Sequence, residues 1–472
     1  MFKDIRVALV VLVVVIVVGV IAAYIVSTRL VNKEGIAEQA WFLKKTPASA
    51  AKKIKILPSE RQLLHARNEV CAFFHYGMNT FTDSEIGTGK EAPKLFNATE
   101  LDTDQWIKAV ADTGFTGAII TAKHHDGFCL WPSEYTDFSV KNGTTPVDVV
   151  KAFSKSCKKY NIKFGVYLSP FDEHEPTFGQ GDAYNDFYVN QLTELLTNYG
   201  DIFEVWFDGY ITDECKGKQT YDWERWVAIV RELQPNANTA VAPPEPDVAW
   251  VGNETGLAEG NVNSVRLKSN KYIWAKSECD VSIRKGWFYH KSQKPKNLDK
   301  LMNIYYNSVG KNCTLLLNIP PMPSGKLNAG DMVRLAEFGD AIHQVTAKPL
   351  AAAVQVQGKD TTAHAVDSLN VNDAAAYSFA DDEYIVDIKL SGKAKLRTLW
   401  LSEDIKNTGE RIEKFSAYAQ IGDKYFKIGE SKSVGGKTLV RLSSFVPKSD
   451  TIRIVIEKSK AAPVLRYIGV FA

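Results

Sequence analysis

The sequence predicts an α/β protein in which a (β/α)8 barrel of the TIM type is followed by an all-β antiparallel sandwich domain. Strand-like and helix-like hydrophobic patterns alternate from residue 60 to residue 347, as in a parallel α/β architecture. Residues 348–472 show only short alternating strands. The competing fold, a doubly wound open sheet, would need a glycine-rich phosphate turn after its first strand, and the sequence has none there.

The composition is that of a folded globular chain. Of the 472 residues, 45% are apolar and 24% are charged, which excludes global disorder, and the length favours two domains. The net charge of +2 gives no reason to expect a nucleic-acid partner. The six cysteines are widely spaced and form no zinc-binding pattern. We therefore expect most of them to be unpaired, and we expect no metal and no cofactor.

The N-terminus carries an uncharged apolar run, residues 7–26, between basic residues on both sides. These 20 residues are long enough to cross a bilayer core of about 30 Å as a helix. A cleaved signal usually has a shorter apolar region, about 7–15 residues. We therefore expect residues 1–33 to be a signal-anchor that exports the chain and attaches it to the membrane, or alternatively a cleaved signal that leaves a secreted or periplasmic protein. Residues 34–59 are predicted to be a linker.

The predicted barrel begins with a strand over residues 70–77. Further strands are predicted at 117–123, 163–170, 203–209 and 238–242, and helices at 104–113, 146–160, 183–199, 223–233 and 331–344. Segments 273–283, 298–309 and 314–319 complete a more irregular second half. The sandwich strands are predicted at 384–390, 396–401, 414–421, 438–442, 451–456 and 465–471.

The strand 203–209 combines an apolar face with a chemically active one. Period-2 alternation places Phe203, Val205 and Phe207 on one face, and Glu204, Trp206 and Asp208 on the other. A carboxylate beside a flat indole at a strand end suits work on a sugar, although Asp208 could instead cap the following turn. Other predicted strands also end in polar or aromatic groups: His75, His124, His125 and Tyr167. Barrel active sites lie at this end of the strands, so these groups predict one convergent pocket.

Glycoside hydrolysis normally needs a second carboxyl group. Glu254 follows Trp250 in a loop with glycines on both sides, and Glu278 precedes a segment that contains Arg284. The residues alone do not separate these two candidates, and Arg284 is a candidate charge near the site. Adjacent histidines in a strand point to opposite faces, so His124 and His125 are not expected to hold one metal ion.

Several motifs in order resemble the α-L-fucosidases of glycoside hydrolase family 29. They are Phe74-His75-Tyr76-Gly77, Ala122-Lys123-His124-His125-Asp126-Gly127-Phe128, Val166-Tyr167-Leu168-Ser169, Val205-Trp206-Phe207-Asp208-Gly209, Trp250-Val251-Gly252-Asn253-Glu254 and Gly286-Trp287-Phe288-Tyr289-His290. The resemblance runs from about residue 60 to residue 345.

This resemblance implies a retaining exo-α-L-fucosidase that acts on fucosylated glycans. Asp208 matches the nucleophile, and the loop with Glu254 looks like the acid/base loop of the subgroup that prefers α-1,3/1,4-linked fucose. The resemblance assigns fucose contacts to His75, Glu85, His124, His125, Tyr167, Trp206 and Trp287. The family often has a Trp where this chain has Ile86, which changes that wall of the pocket. A fucose-binding protein without turnover, or a barrel glycosidase for another sugar, are the alternative functions.

Overall fold

The computed structural model describes residues 56–209, 218–243, 245–260, 262–268, 270–350, 352–356, 377–379, 384–443 and 447–472. The apolar run 7–26 and most of the linker 34–59 lie outside these residues. Within the described ranges, no helix has both the length and the apolar character that crossing a membrane requires.

The described strands are numbered along the chain. They are β1 (Val70–Phe74), β2 (Gly117–Lys123), β3 (Lys163–Leu168), β4 (Glu204–Trp206), β5 (Asn238–Ala240), β6 (Val248–Trp250), β7 (Val265–Lys268), β8 (Lys271–Trp274), β9 (Lys276–Ser282), β10 (Thr314–Asn318), β11 (Ala352–Val356), β12 (Tyr377–Ser378), β13 (Ile385–Ala394), β14 (Thr398–Glu403), β15 (Ile412–Ile421), β16 (Lys424–Ser431), β17 (Thr438–Arg441), β18 (Ser449–Ser459) and β19 (Val464–Phe471).

The described α-helices run over Glu60–Ala66, Met78–Thr82, Thr103–Asp112, Val149–Lys159, Asp182–Asn198, Trp223–Leu233, Leu298–Asn307 and Ala329–Val345. Short 3-10 helices lie at Pro93–Leu95 and Val140–Asn142. Three helices of the first half start after an aspartate: Asp102, Asp148 and Asp222 each accept a hydrogen bond from the backbone N–H three residues later. This capping satisfies a donor that the first helical turn would otherwise leave unpaired.

Eight parallel strands close into a barrel, as the sequence predicts. Their order around the barrel is β1, β2, β3, β4, β5, β6, β9 and β10, and β10 pairs back to β1. The sequence analysis did not predict β6, whose three residues follow a proline-rich segment, 243–246, that does not read as the start of a strand. The predicted segment 273–283 is two strands: β8 pairs antiparallel with β7 in a hairpin, and β9 joins the barrel.

The core has an outer and an inner layer. Val205 and Phe207 face outward into the large apolar layer between the strands and the helices. Trp206, Tyr167 and Phe73 face inward and fill the barrel interior. Phe203, predicted on the outer face, precedes β4 and packs instead beside the interior cluster.

Two antiparallel sheets follow the barrel, which confirms the predicted second part of the fold class. The five-stranded sheet has the order β11, β13, β18, β15, β16, and the four-stranded sheet has the order β12, β19, β14, β17. Polar contacts attach this part to the barrel. Leu439 N–H donates to the Gly310 carbonyl at 2.9 Å, and the Asn312 amide donates to Glu410 at 3.2 Å.

The five described cysteines, Cys71, Cys129, Cys157, Cys279 and Cys313, are buried and free. The expectation of unpaired thiols is confirmed for these five. Cys215 lies outside the described residues.

Candidate active site

The C-terminal ends of β1 to β4 bring the predicted aromatic and imidazole groups into contact. The His75 ring lies 5.4 Å from the His124 ring, and His124 stacks on Tyr167 at 5.6 Å. Tyr167 in turn stacks on Trp206 at 5.6 Å. Phe73 lies below them, with its ring 5.7 Å from both Tyr167 and Trp206. The aromatic and imidazole groups predicted to meet at this end of the barrel are therefore in contact there.

The three histidines of the pocket are buried and neutral near pH 7. Burial lowers the pKa of His75 to about 3 and also lowers the pKa of His124 and His125. His75 Nδ1 lies 2.9 Å from the Asn318 side-chain oxygen, which can only accept. Nδ1 therefore carries the proton, and Nε2 remains an acceptor. His124 Nδ1 is buried without a hydrogen-bond partner in the described part of the chain, so it is available to a ligand hydroxyl.

Asp208 lies just beyond the end of β4, on the inward face. Its Oδ2 accepts a hydrogen bond of 2.8 Å from the Tyr167 hydroxyl. The side chain is 24% exposed, and its Oδ2 is 3.8 Å from His125 Nε2. A carboxylate held from one side and open on another can approach a ligand.

Glu254 lies in the loop that follows β6 and is exposed. Its Oε2 accepts a hydrogen bond of 3.2 Å from the indole N–H of Trp287. The Trp287 ring lies 4.9 Å from the His75 ring. Trp287 therefore connects the Glu254 loop to the imidazole cluster, although the two residues come from different strand-end loops.

Glu85 braces the segment that carries Trp287. Its Oε2 accepts from the Trp287 backbone N–H at 2.9 Å, and its Oε1 lies 2.5 Å from His290 Nε2. A Cβ at Gly286 would lie 2.1 Å from Glu85 Oε1, so a side chain there would displace the Glu85 carboxylate from this position. The neighbouring residue Ile86 is exposed.

Glu278 lies inside the barrel and not at its mouth. It is 1% exposed, and its Oε1 accepts from the Trp206 indole N–H at 3.0 Å. His65 and Glu204 lie beside it, with the ligand-type atoms of the three residues within 4.8 Å of one another. Burial raises the pKa of both glutamates. A proton held between the two carboxyl groups explains how they can be buried side by side.

Arg284 does not face the pocket. Its Nε donates to Asp331 at 2.7 Å, both side chains are buried, and its guanidinium lies over the Tyr289 ring at 4.6 Å. Arg284 therefore fixes the base of the loop that carries Trp287.

Two polar residues were missed by the sequence reasoning. Asn318 binds His75 and also donates to the Trp287 carbonyl at 2.7 Å. Ser169 Oγ lies 2.8 Å from His125 Nδ1. Asn318 could have been found as the one polar residue after Leu315, Leu316 and Leu317 at the end of an apolar strand.

Comparisons with known proteins find relatives that cover most of the chain. The α-L-fucosidase family model matches residues 60–345. The chain is 37% identical over 447 residues to Alpha-L-fucosidase 1 of Arabidopsis thaliana, covering 88% of this chain and 87% of the plant protein.

Two solved structures share the fold over most of the chain. One is a GH29 fucosidase of Ruminococcus gnavus in complex with fucose, with a TM-score of 0.81 and 31% identity over 90% of this chain and 97% of that one. The other is a putative α-L-fucosidase from Bacteroides ovatus, with a TM-score of 0.79 and 34% identity over 91% of this chain and 77% of that one.

Proposed function

Because the chain belongs to the α-L-fucosidase family, glycoside hydrolase family 29, we propose that it releases terminal α-linked L-fucose with retention of configuration, through a covalent ester on Asp208. The observation that carries this proposal is the placement of Asp208 at the mouth of the barrel. It is the inward carboxylate beyond β4, held by Tyr167 and surrounded by neutral imidazoles. Neutral imidazoles bind hydroxyl groups and do not compete for the carboxylate as ion-pair partners.

Glu254 is the proposed acid and base. It is exposed at the mouth, where a glycosidic oxygen can reach it, and Trp287 holds its carboxyl group. Glu278 is only 1% exposed, and the Trp206 indole donates to its carboxyl group. This difference in position favours Glu254, where the residues alone left both candidates open.

The proposed reaction has two steps. Asp208, as the carboxylate, attacks the anomeric carbon while Glu254 gives its proton to the departing oxygen, so the C–O bond to the leaving sugar breaks as the ester bond forms. Glu254 then takes a proton from water, and the resulting hydroxide breaks the ester and releases fucose. The two displacements together retain the configuration. Such a pair works at a carboxyl separation of about 5–5.5 Å.

The fucose ring is proposed to lie among His75, His124, His125, Tyr167 and Trp287, above Trp206. His75 Nε2 and His124 Nδ1 are available to hydroxyl groups, and the indole of Trp287 offers a flat wall. The contact that the resemblance assigns to Glu85 stays a prediction. Its observed bonds to Trp287 and His290 indicate a role in positioning that wall.

The linkage preference is also a proposal. The segment from Trp250 to Glu254 resembles the α-1,3/1,4-preferring subgroup, so we expect the chain to act on branched glycans in preference to aryl fucosides. A 4-nitrophenyl α-fucoside and a Lewis-type trisaccharide, assayed side by side, test this point. Stronger turnover of the aryl fucoside would contradict the preference and leave the hydrolase activity standing.

Three variants test the assigned roles. Asp208→Ala should abolish turnover and leave fucose binding measurable by calorimetry. Glu254→Ala should lower the rate on the trisaccharide by about 10²–10⁴-fold, the usual contribution of a general acid, and lower it much less on α-fucosyl fluoride, which needs no protonation. Glu259→Gln, an exposed glutamate of the same loop, is the matched control. Fucose binding by the unaltered protein without any turnover would overturn the proposed function.

Export and membrane attachment through residues 7–26 remain a proposal from the sequence. Expression of the full chain beside a chain that starts at residue 34 tests it. The full chain should sediment with membranes and resist carbonate extraction, and the shorter chain should not. Recovery of the full-length activity in the soluble fraction would support the cleaved-signal alternative.

A further inference from the structure

Trp250 is the last residue of β6 and lies at the mouth of the barrel. Along β6, Ala249 packs outward against Ile273 and Ala275. Val248 belongs to the interior cluster, together with Trp206 and Tyr167. Side chains alternate along a strand, so Trp250 shares the inward direction of Val248. It lies at the C-terminal end of β6, which is the end that forms the active-site face.

The indole of Trp250 is fixed but not covered. Its N–H donates to Asp280 Oδ1 at 2.6 Å, and Asp280 on the neighbouring strand is 3% exposed. Trp250 itself is 39% exposed, whereas Trp206 on β4 is 5% exposed. A single exposed aromatic residue needs no special explanation. An inward-facing indole that is tied by its edge to a buried carboxyl group is different, because that contact holds the ring at the mouth.

Trp250 also lies on the side of the pocket that carries the proposed acid. Glu254 follows it by four residues, in the loop after β6. The Asp280 carboxyl group that holds Trp250 also interacts with Glu254: burial raises the pKa of Asp280 to about 8, and the charge of Glu254 adds to that rise. Trp287, on the fucose side, donates to Glu254. Glu254 therefore has one indole toward the imidazole cluster and a second indole on the strand that precedes its loop.

We propose that the exposed face of Trp250 is a stacking platform for the leaving group, and that it takes a neutral pyranose ring, the sugar to which fucose is attached. The proposal rests on the proposed function, because it uses Glu254 as the acid. A proton donor lies beside the glycosidic oxygen, so the leaving sugar must lie on the side of Glu254 that is away from the fucose pocket. One face of a pyranose presents C–H groups, which carry a slight positive charge and suit the negative face of an indole.

The test compares substrates with and without a leaving sugar. The full-length protein and the variants Trp250→Ala and Trp250→Phe are assayed on a disaccharide of fucose linked to N-acetylglucosamine and on α-L-fucosyl fluoride. Trp250→Ala should lower kcat/KM on the disaccharide about tenfold, the scale of one lost aromatic contact, and the loss on the fluoride should be at least fivefold smaller. Trp250→Phe should recover most of the loss. Tyr272→Ala, at an exposed aromatic residue of the β7–β8 hairpin, should change neither rate.

Each outcome separates this proposal from the proposed function. Equal losses on the two substrates, or no loss on the disaccharide, would overturn the platform while leaving the fucosidase in place. An unaltered protein that hydrolyses neither substrate would overturn the proposed function itself. Calorimetry in the Asp208→Asn background gives a readout without turnover. There, Trp250→Ala should weaken disaccharide binding about tenfold and change fucose binding much less, and equal weakening of both would contradict the platform.

Discussion

Replacing Glu278 by Gln should stabilise the protein relative to wild type as the pH rises. Burial raises the pKa of Glu278 and Glu204 in the folded protein, whereas an unfolded glutamate titrates near 4.3. Above about pH 4.3 the unfolded chain releases protons that the folded pair keeps. The unfolded state then binds fewer protons, so the stability of the wild type falls with rising pH. The amide introduced by Glu278→Gln binds no proton in either state, so the variant escapes this loss.

The magnitude follows from linkage. One retained proton costs at most about 1.36 kcal/mol of unfolding free energy per pH unit. Between about pH 5.5 and about pH 7.5, the variant should therefore gain up to about 2.7 kcal/mol relative to wild type. Near about pH 4, where this loss has not yet begun, the difference should be within about 1 kcal/mol, because the amide oxygen of the Glu278→Gln variant can still accept from Trp206.

Urea unfolding followed by tryptophan fluorescence at three pH values measures this difference. Glu278→Leu provides the contrast. It removes the same titrating group but leaves the Trp206 N–H without its acceptor, which should cost about 1–3 kcal/mol at every pH. Glu259→Gln, at an exposed glutamate, should show no trend with pH. A Glu278→Gln variant whose stability relative to wild type stays constant, or falls, as the pH rises would refute the shared proton.

Three further changes have clear expected results. Lys123→Met should lower the free energy of unfolding by about 3–5 kcal/mol. In the unaltered protein the Lys123 ammonium lies 2.7 Å from the buried carboxylate of Asp172, and the substitution leaves that carboxylate without its lysine partner. An unchanged urea midpoint would contradict this expectation. Tyr167→Phe removes the hydrogen bond to Asp208 and should lower kcat/KM on fucosyl fluoride more than about tenfold, with thermal stability nearly unchanged. Burial alone would lower the pKa of His290, but its two carboxylate partners raise that pKa overall. The charged imidazole therefore stabilises the fold fully below about pH 6.5, and this stabilisation is lost as the pH rises through the raised pKa of the folded protein. His290→Gln should therefore lower the melting temperature more at about pH 6 than at about pH 9, and an equal drop at both would argue against a charged histidine there.

The meeting of the candidate residues on the first four strands could be predicted from where those strands end. His75, His124, Tyr167 and Asp208 follow apolar runs whose ends are visible in the sequence, and parallel strands of a barrel all end on one face. Their mutual contact then follows from the fold class alone. The fold class does not by itself give Asp208 a chemical role, since a carboxylate at a strand end can also cap the following turn.

The second half of the barrel could not be predicted in the same way. β6 follows a proline-rich segment, and the hairpin of β7 and β8 interrupts the alternation before β9. The brace between Glu85 and His290 joins residues 205 positions apart, and no local pattern indicates such a pair. Its contacts depend on how two loops meet above the barrel, which periodicity does not describe.

The proposal of Glu254 over Glu278 as the acid and base depends on how far each carboxyl group lies from the floor of the barrel. Inward positions recur every second residue of a strand. Glu204, Trp206 and Asp208 therefore lie at successive levels from the floor of the barrel to its mouth, along β4 and just beyond its end. Glu278 and Asp280 lie at successive levels along β9 in the same way. At the floor a carboxyl group is enclosed, and burial raises its pKa, as at Glu204. At the mouth, Asp208 keeps an exposed fraction of 24%. On β4, a carboxyl group is therefore enclosed or open to solvent according to its level along the strand. That level depends on where each strand begins, and the local sequence around Glu278 does not contain this information.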